Sequence, residues 1–283
     1  MSLSETILLG TIAGATILIG LPIGRIRRPM PGTRAFLNAL AIGILLFLIW
    51  DVLAHAWAPI DASLASMHAG HGGLSRAFFY GLLFVLGLTT GLLGLTLYER
   101  WTRQVASRRT KAHDGKGLEV DIGPRGWSAA KRLALLIAVG IGLHNFAEGL
   151  AIGQSAARSE IALATLLVIG FGLHNATEGF GIVAPIAADA APEDAPPSWG
   201  FLLLMGLIGG GPTILGTIVG HGFTSAAVSI VFLTLAAGSI IYVVIQLLGV
   251  GLRMGHKELL SAGLLVGLLA GFMTDAVVSA AGA

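Results

Sequence analysis

Eight apolar stretches, each about as long as a membrane-crossing helix, are the feature that most limits how this chain can fold. A helix needs about 20 consecutive apolar residues to cross the hydrocarbon core of a bilayer. The stretches cover approximately residues 4–24, 35–58, 77–98, 131–156, 161–186, 199–219, 224–250 and 258–280. Because a lipid-embedded backbone must satisfy its own hydrogen bonds, each stretch is expected to be helical. The sequence therefore predicts an all-α integral membrane protein, a single domain built as a bundle of eight transmembrane helices.

The overall composition agrees with a membrane protein. Apolar residues make up 55% of the chain and charged residues only 11%, whereas soluble domains are about 25% charged. The chain has no cysteine, which excludes disulfides, thiolate zinc sites and iron–sulfur clusters. It also lacks a nucleotide-binding P-loop motif. We expect the lipid bilayer as a partner and no nucleic acid.

The basic residues are distributed unevenly among the connections between spans. If the N-terminus lies outside, the inner connections hold 15 of the 17 lysines and arginines, in segments 25–34, 99–132 and 253–257. The outer side keeps only Arg76 and Arg158. The positive-inside rule then places both termini outside, extracellular or periplasmic, in a multi-pass protein of the plasma or bacterial inner membrane. Segment 99–130 is predicted to be a flexible, basic cytoplasmic loop.

Two nearly identical motifs lie in the middle of the fourth and fifth spans. They read Gly-Ile-Gly-Leu-His-Asn-Phe-Ala-Glu-Gly at 140–149 and Gly-Phe-Gly-Leu-His-Asn-Ala-Thr-Glu-Gly at 170–179. In a helix, residues four apart share a face, so each motif presents a histidine and a glutamate together. Ionisable residues inside a membrane are by default functional. The spans are joined by a very short turn, so they are antiparallel neighbours whose motifs meet at similar depth.

The converging side chains form a ligand set for a divalent transition metal. Imidazole and carboxylate ligands suit Zn²⁺ and also accept Fe²⁺, Mn²⁺, Co²⁺ or Cd²⁺, whereas Mg²⁺ and Ca²⁺ prefer oxygen ligands alone. Metal affinity should depend on pH, because protons compete for the same atoms. The alternative to a metal site is a purely structural role, in which these buried side chains hydrogen-bond one helix to the next. The predicted ligands, including two neighbouring amides, are His144, Asn145, Glu148, His174, Asn175 and Glu178.

Other polar residues in the spans are candidates for an entry or accessory role. Asp51 and His55, four residues apart near the outer end of the second span, either pass a cation inward or anchor the helix end. Gln246, deeper in the seventh span, is either a neutral ligand or an interhelical hydrogen-bond partner. His221 and Asp275 lie toward span ends, where polar groups cost little, so no role is expected for them.

The paired His-Asn-x-x-Glu-Gly motifs, within eight spans and outside termini, resemble the ZIP (Zrt/Irt-like) family of divalent-metal transporters. The resemblance covers essentially the whole chain and extends to Trp-Asp-Val-Leu-Ala-His at 50–55 and Ala-Gly-Ser-Ile-Ile-Tyr-Val-Val at 237–244. It implies a secondary transporter that carries zinc, or iron, manganese or cadmium ions, into the cytoplasm. The metal is then the substrate, with no organic cofactor, and family analogy implies a homodimer.

The resemblance also assigns roles to the motif residues. It places the primary metal site on the two histidines and two glutamates, and turns the two asparagines toward a second, adjacent metal. The chain departs from the family's pattern at Ala147 and Thr177, which replace prolines, and at Asn175, Gly211 and Gln246, which replace acidic residues. Because the last three changes remove negative charge, we expect one strong metal site and a weak or missing second one.

Two further function classes use similar residues. A non-transporting metal sensor in the membrane would need only the site itself. An intramembrane metalloenzyme would typically show His-Glu-x-x-His, and a di-metal oxidase Glu-x-x-His, whereas each motif here gives a histidine and then a glutamate four residues later. The spacing therefore favours transport, and no enzymatic activity is expected.

Overall fold

The architecture is helical throughout the part of the chain that the structure describes. The computed structural model describes residues 1–26, 30–70, 73–112, 127–159, 161–188, 195–222 and 225–280. Within these ranges every regular element is a helix, and eight helices are long and apolar enough to cross a membrane. The predicted all-α, eight-helix membrane bundle is confirmed.

The helices follow the eight predicted spans in order. Helix α1 runs Leu3–Ala15, continues as Ile17–Gly20 and ends in the 3-10 turn Leu21–Arg25. It begins at a capping box, in which Ser2 and Glu5 each accept a hydrogen bond from the other's backbone N–H. The other helices are α2 Pro31–His68, α3 Leu74–Ala112, α4 Ala129–Ala157, α5 Ile161–Ala188, α6 Trp199–Gly222, α7 Ala226–Arg253 and α8 Lys257–Ala280.

Two helices extend well beyond the stretches from which they were predicted. Helix α2 continues past the predicted end at 58 to His68, and α3 continues past 98 to Ala112. The first part of the predicted loop 99–130 is therefore helical, and residues 113–126 of that segment lie outside the described residues. Hydropathy marks only the length that suits lipid, whereas a helix can continue into water through residues with adequate helix propensity.

The eight helices pack as two groups of four. Helices α1, α4, α5 and α6 form the motif bundle, in which α4 and α6 pack most extensively. Helices α2, α3, α7 and α8 form the flanking bundle, with α8 against α2 and α3 against α7. The bundles meet mainly where α4 contacts α7 and α5 contacts α2. Apolar side chains from both bundles, including Ile42, Ile137, Ile182 and Val243, are fully buried in the core.

Candidate metal site

The side chains of His144, Glu148 and His174 meet between α4 and α5. Their ligand atoms all lie within 4.8 Å of one another. Oε1 of Glu148 is the common partner, because it lies 2.9 Å from Nε2 of His144 and accepts a hydrogen bond from Nε2 of His174. The spacing of four residues supplies the first pair, and the antiparallel neighbour supplies the second histidine. The structure thus brings together three of the six predicted ligands.

These three side chains are withdrawn from solvent. His144 is 1% exposed, Glu148 4% and His174 9%. Nδ1 of His144 and Oε2 of Glu148 are buried without a hydrogen-bond partner among the described residues. A buried polar atom that lacks a partner costs free energy. The group therefore has unused capacity for coordination or hydrogen bonding, as expected of a site for an ion.

Glu178 is the fourth ionisable residue predicted for the site. It lies one helical turn after His174, is 1% exposed, and neither carboxylate oxygen has a hydrogen-bond partner in the described chain. It stands outside the close group of three, although His144, His174, Glu148 and Asn145 all lie near enough to interact with it. Its carboxylate is a candidate fourth ligand or a counter-charge for a bound cation.

The two motif asparagines hold the motif helices to their neighbours. Nδ2 of Asn145 donates a 2.9 Å hydrogen bond to the carbonyl oxygen of Gly209 on α6. Nδ2 of Asn175 donates a 3.1 Å hydrogen bond to the carbonyl oxygen of Ala13 on α1. Both Oδ1 atoms are buried without a partner among the described residues. Each amide therefore secures a helix contact and leaves its oxygen available.

The motif glycines pack in the same register as the asparagines. A Cβ atom on Gly149 would collide with the backbone of α6 at Thr213, and one on Gly179 would collide with the backbone of α1 at Ile17. Each contact lies one turn beyond the asparagine contact on the same partner helix. The two motifs therefore pack against their partner helices in the same way. In each motif the histidine and the glutamate take no part in these contacts and are free to form the candidate metal site.

A partly open cavity of about 850 Å³ leads away from the site. Glu148 and His174 form part of its wall, together with Asp51 and His55 from α2. Arg158, in the turn between α4 and α5, also lines it. The cavity therefore joins the buried group to the end of the bundle where α4 finishes and α5 begins, which is the predicted outer side.

Acidic side chains stand in the wall of this cavity. Asp51 is 23% exposed, and its Oδ1 lies 3.3 Å from Nδ1 of His55, whose side chain is 69% exposed. Asp275 of α8 also lines the cavity, although its position near a span end predicted no role. Acidic groups in a cleft raise the local concentration of cations, and here Asp51 and Asp275 share the wall with the cationic Arg158. Asp51 and His55 thus line the cavity and also contact each other, so both roles predicted for them, the entry vestibule and the structural pair, stay predictions.

Gln246 lies elsewhere, within the flanking bundle. Its Nε2 donates a 3.0 Å hydrogen bond to Oε2 of Glu99 on α3. The hydroxyl of Tyr242 donates to the same oxygen, also at 3.0 Å. Of its two predicted roles, Gln246 thus has that of an interhelical hydrogen-bond partner. Sequence reasoning missed Glu99, because it lies where an apolar span passes into a basic segment.

Compared with known proteins, the chain matches no protein-family model and no curated sequence. Membership of the ZIP family therefore stays a prediction from the motifs. The residues themselves define an eight-helix membrane bundle with a buried His/Glu group that could hold a metal ion.

Proposed function

We propose that the protein is a secondary transporter of divalent transition-metal ions, of the ZIP type, with its substrate site at His144, Glu148 and His174. The proposal rests on the close grouping of these buried ligands beside a cavity that reaches the surface. If these side chains only held the helices together, their donors and acceptors would be expected to be paired in hydrogen bonds with one another. Here several buried atoms of the same cluster lack partners in the described chain.

The donor set favours a transition ion as the substrate. Two imidazoles and a carboxylate suit Zn²⁺, and also Fe²⁺, Mn²⁺ and Cd²⁺, better than Mg²⁺ or Ca²⁺. Bonds of about 2.0–2.2 Å place the ligand atoms of a tetrahedral zinc roughly 3.3 Å apart. The three ligand atoms lie within 4.8 Å of one another, and Oε1 of Glu148, at 2.9 Å from Nε2 of His144, would move slightly away from the imidazoles to admit the ion. Glu178 could complete the shell.

The two bundles suggest how the ion would cross. The ion enters the cavity past Asp51 and exchanges its bound water for the histidine and glutamate ligands. It leaves on the far side once the motif bundle moves against the flanking bundle. The motif bundle carries both halves of the site. No chemical reaction is assigned to the protein. A concentration gradient is the simplest driving force, and release is proposed to be cytoplasmic.

Metal uptake into proteoliposomes tests this proposal. Vesicles that contain the purified protein and a metal-sensitive dye receive Zn²⁺, Fe²⁺, Mn²⁺, Cd²⁺ or Mg²⁺. Glu148→Gln and His174→Ala are compared with Glu99→Gln, which makes the same substitution in a half-buried span glutamate away from the site. We expect saturable uptake of transition ions that both site variants abolish and the control retains.

Two results would contradict the proposal. Uptake that persists in Glu148→Gln would mean that the ion takes another route. Stoichiometric metal binding without uptake by the wild-type protein would exclude transport and favour a membrane metal sensor.

A further inference from the structure

Arg34, near the start of α2, reaches across the boundary between the two bundles. Its Nη1 donates a 2.7 Å hydrogen bond to the carbonyl oxygen of Ala187, in the last turn of α5. Its Nη2 donates to the carbonyl oxygen of Ile26, directly after the end of α1. Arg34 belongs to the flanking bundle and Ala187 to the motif bundle, whereas Ile26 lies in the connection that leads from α1 to α2. One guanidinium group therefore joins the start of α2 to the last turn of α5 and to the residue that follows α1.

The acceptors are well suited to a cation. The last carbonyl groups of a helix lack partners within the helix, and they form the negative end of its dipole. A guanidinium presents several N–H groups in a fixed fork, so it can serve two acceptors at once. Hydrogen bonds from a charged donor are stronger than those between neutral groups. The contact is thus a strong polar link at the ends of α1 and α5.

The link lies at the end of the molecule opposite the mouth of the cavity beside Arg158, and on α2 the cavity lining stops at Leu40, six residues beyond Arg34. Two turns beyond Arg34 on the same face of α2, Ala41 is 1% exposed and its methyl group faces Gly181 of α5. The neighbouring Ile42 and Ile182 are also fully buried. An apolar layer therefore separates Arg34 from the metal site. The site is open toward one end of the bundle and closed toward the end that Arg34 holds.

Arg25 offers a matched comparison at the same end of the molecule. It is half-buried like Arg34, donates a hydrogen bond to the carbonyl oxygen of Pro197, and lies 4.6 Å from the ring of Trp199. Arg25 ends α1, and its partners lie at the start of α6, so all belong to the motif bundle or its connection. Its contacts can persist when the bundles separate, whereas the hydrogen bond from Arg34 to Ala187 must break.

We infer that Arg34 is a latch, a positioning residue that holds the two bundles together on the side opposite the cavity and releases when the site opens there. The inference rests on the proposed transport function. It adds a residue that lies outside both the ligand group and the cavity wall. Removal of the latch should shift the protein toward the conformation that is open at the Arg34 end.

Labelling of single cysteines in the full-length protein tests the latch. The chain contains no cysteine, so one introduced thiol is the only target for a maleimide. Ala41→Cys reports on the closed layer, and Ala151→Cys reports on the cavity wall. In the Arg34→Ala background we expect labelling of Ala41→Cys to accelerate about tenfold, which is the order of effect of a lost charged hydrogen bond. Labelling of Ala151→Cys should slow.

The Arg25→Ala background serves as the control, and there both labelling rates should remain within about twofold of wild type. Equal labelling rates of Ala41→Cys in the Arg34→Ala and wild-type backgrounds would contradict the inference that Arg34 is a latch. Equal acceleration of this labelling in Arg25→Ala and Arg34→Ala would contradict it as well. If Arg34→Ala fails to fold, Arg34→Lys is used instead, because lysine keeps the positive charge but cannot serve two acceptors with a planar guanidinium. Labelling of Ala41→Cys should then be faster than in wild type, but the acceleration should be less than about tenfold. An unchanged labelling rate in Arg34→Lys would contradict the inference. Metal uptake is measured separately, so failure of wild-type uptake would contradict transport whatever the labelling shows.

Discussion

The side-chain amide of Asn145 donates a 2.9 Å hydrogen bond to the carbonyl oxygen of Gly209, and so ties α4 to its most extensively packed neighbour, α6. Asn175 makes the corresponding bond to α1. In the six-residue motif, the asparagine and the glycine therefore contact neighbouring helices, whereas the histidine and the glutamate belong to the candidate site. In both α4 and α5 the asparagine and the glycine of the motif contact the same neighbouring helix.

Loss of the Asn145 side chain should weaken the fold more than it weakens metal binding. Asn145→Ala removes an interhelical hydrogen bond, and such bonds in membranes contribute about 0.6 kcal/mol on average and up to about 1.7 kcal/mol. We expect a decrease of that size in the free energy of unfolding, measured by denaturation in detergent micelles. Zinc affinity, measured by competition with a chelating dye, should fall far less than in Glu148→Gln. An affinity loss equal to that of Glu148→Gln, with unchanged stability, would make Asn145 chiefly a ligand.

A carboxylate at position 175 should strengthen the acidic character of the site. Asn175→Asp places a charged oxygen about one helical turn from the buried carboxylate of Glu178, and it removes the donor to Ala13. We expect tighter zinc binding or a second bound ion, together with lower stability of the metal-free protein. Elemental analysis of the metal-to-protein ratio and dye competition measure these effects. Unchanged stoichiometry and affinity would argue against a second metal position beside this residue.

The contact between α4 and α6 should tolerate no side chain at Gly149. A methyl group there would collide with the backbone at Thr213, and overpacking of this kind typically costs about 1–3 kcal/mol. We expect Gly149→Ala to lower the midpoint of thermal unfolding. Gly249→Ala is the matched control, because nothing lies within 4 Å of a Cβ placed at that helical glycine. The control should be neutral or slightly stabilising. Equal effects of the two substitutions would refute the close packing.

The cavity wall should affect how fast metal reaches the site. Asp51→Asn removes a negative charge from the cavity wall and weakens the contact with His55, and it leaves the three ligands unchanged. The local concentration of cations should therefore fall. We expect KM for uptake to rise several-fold at low ionic strength, with little change in the maximal rate. Asp61→Asn is the control, since Asp61 lies on the same helix but bonds to Trp57 outside the described cavity wall. Identical KM values for Asp51→Asn and wild type would remove Asp51 from the entry route.

Much of the architecture could be predicted because its signals are local. The apolar stretches marked all eight helices, and the spacing of four residues placed His144 beside Glu148. A very short turn between α4 and α5 then made His174 their neighbour. The extensions of α2 to His68 and α3 to Ala112 escaped prediction, since helix propensity outside lipid leaves no hydropathy signal.

The features that depend on which helices become neighbours could not be predicted. Gln246 bonds to Glu99 because α3 packs against α7, and no local pattern encodes that pairing. In the sequence, Arg34 served only as one of the basic residues that indicate the inner side of the membrane. The structure shows that its guanidinium bridges the two bundles. The asparagine oxygens looked like ligands, but the donation from their nitrogens to backbone carbonyls became visible only in three dimensions.

The coordination of zinc in the purified protein tests the central claim most directly. X-ray absorption spectroscopy at the zinc edge should show two imidazole nitrogens and at least one carboxylate oxygen, at about 2.0–2.2 Å. In His174→Ala, the number of imidazole ligands should fall to one. A zinc shell without imidazole in the wild-type protein, or an unchanged imidazole count in His174→Ala, would contradict a metal site formed by His144, Glu148 and His174.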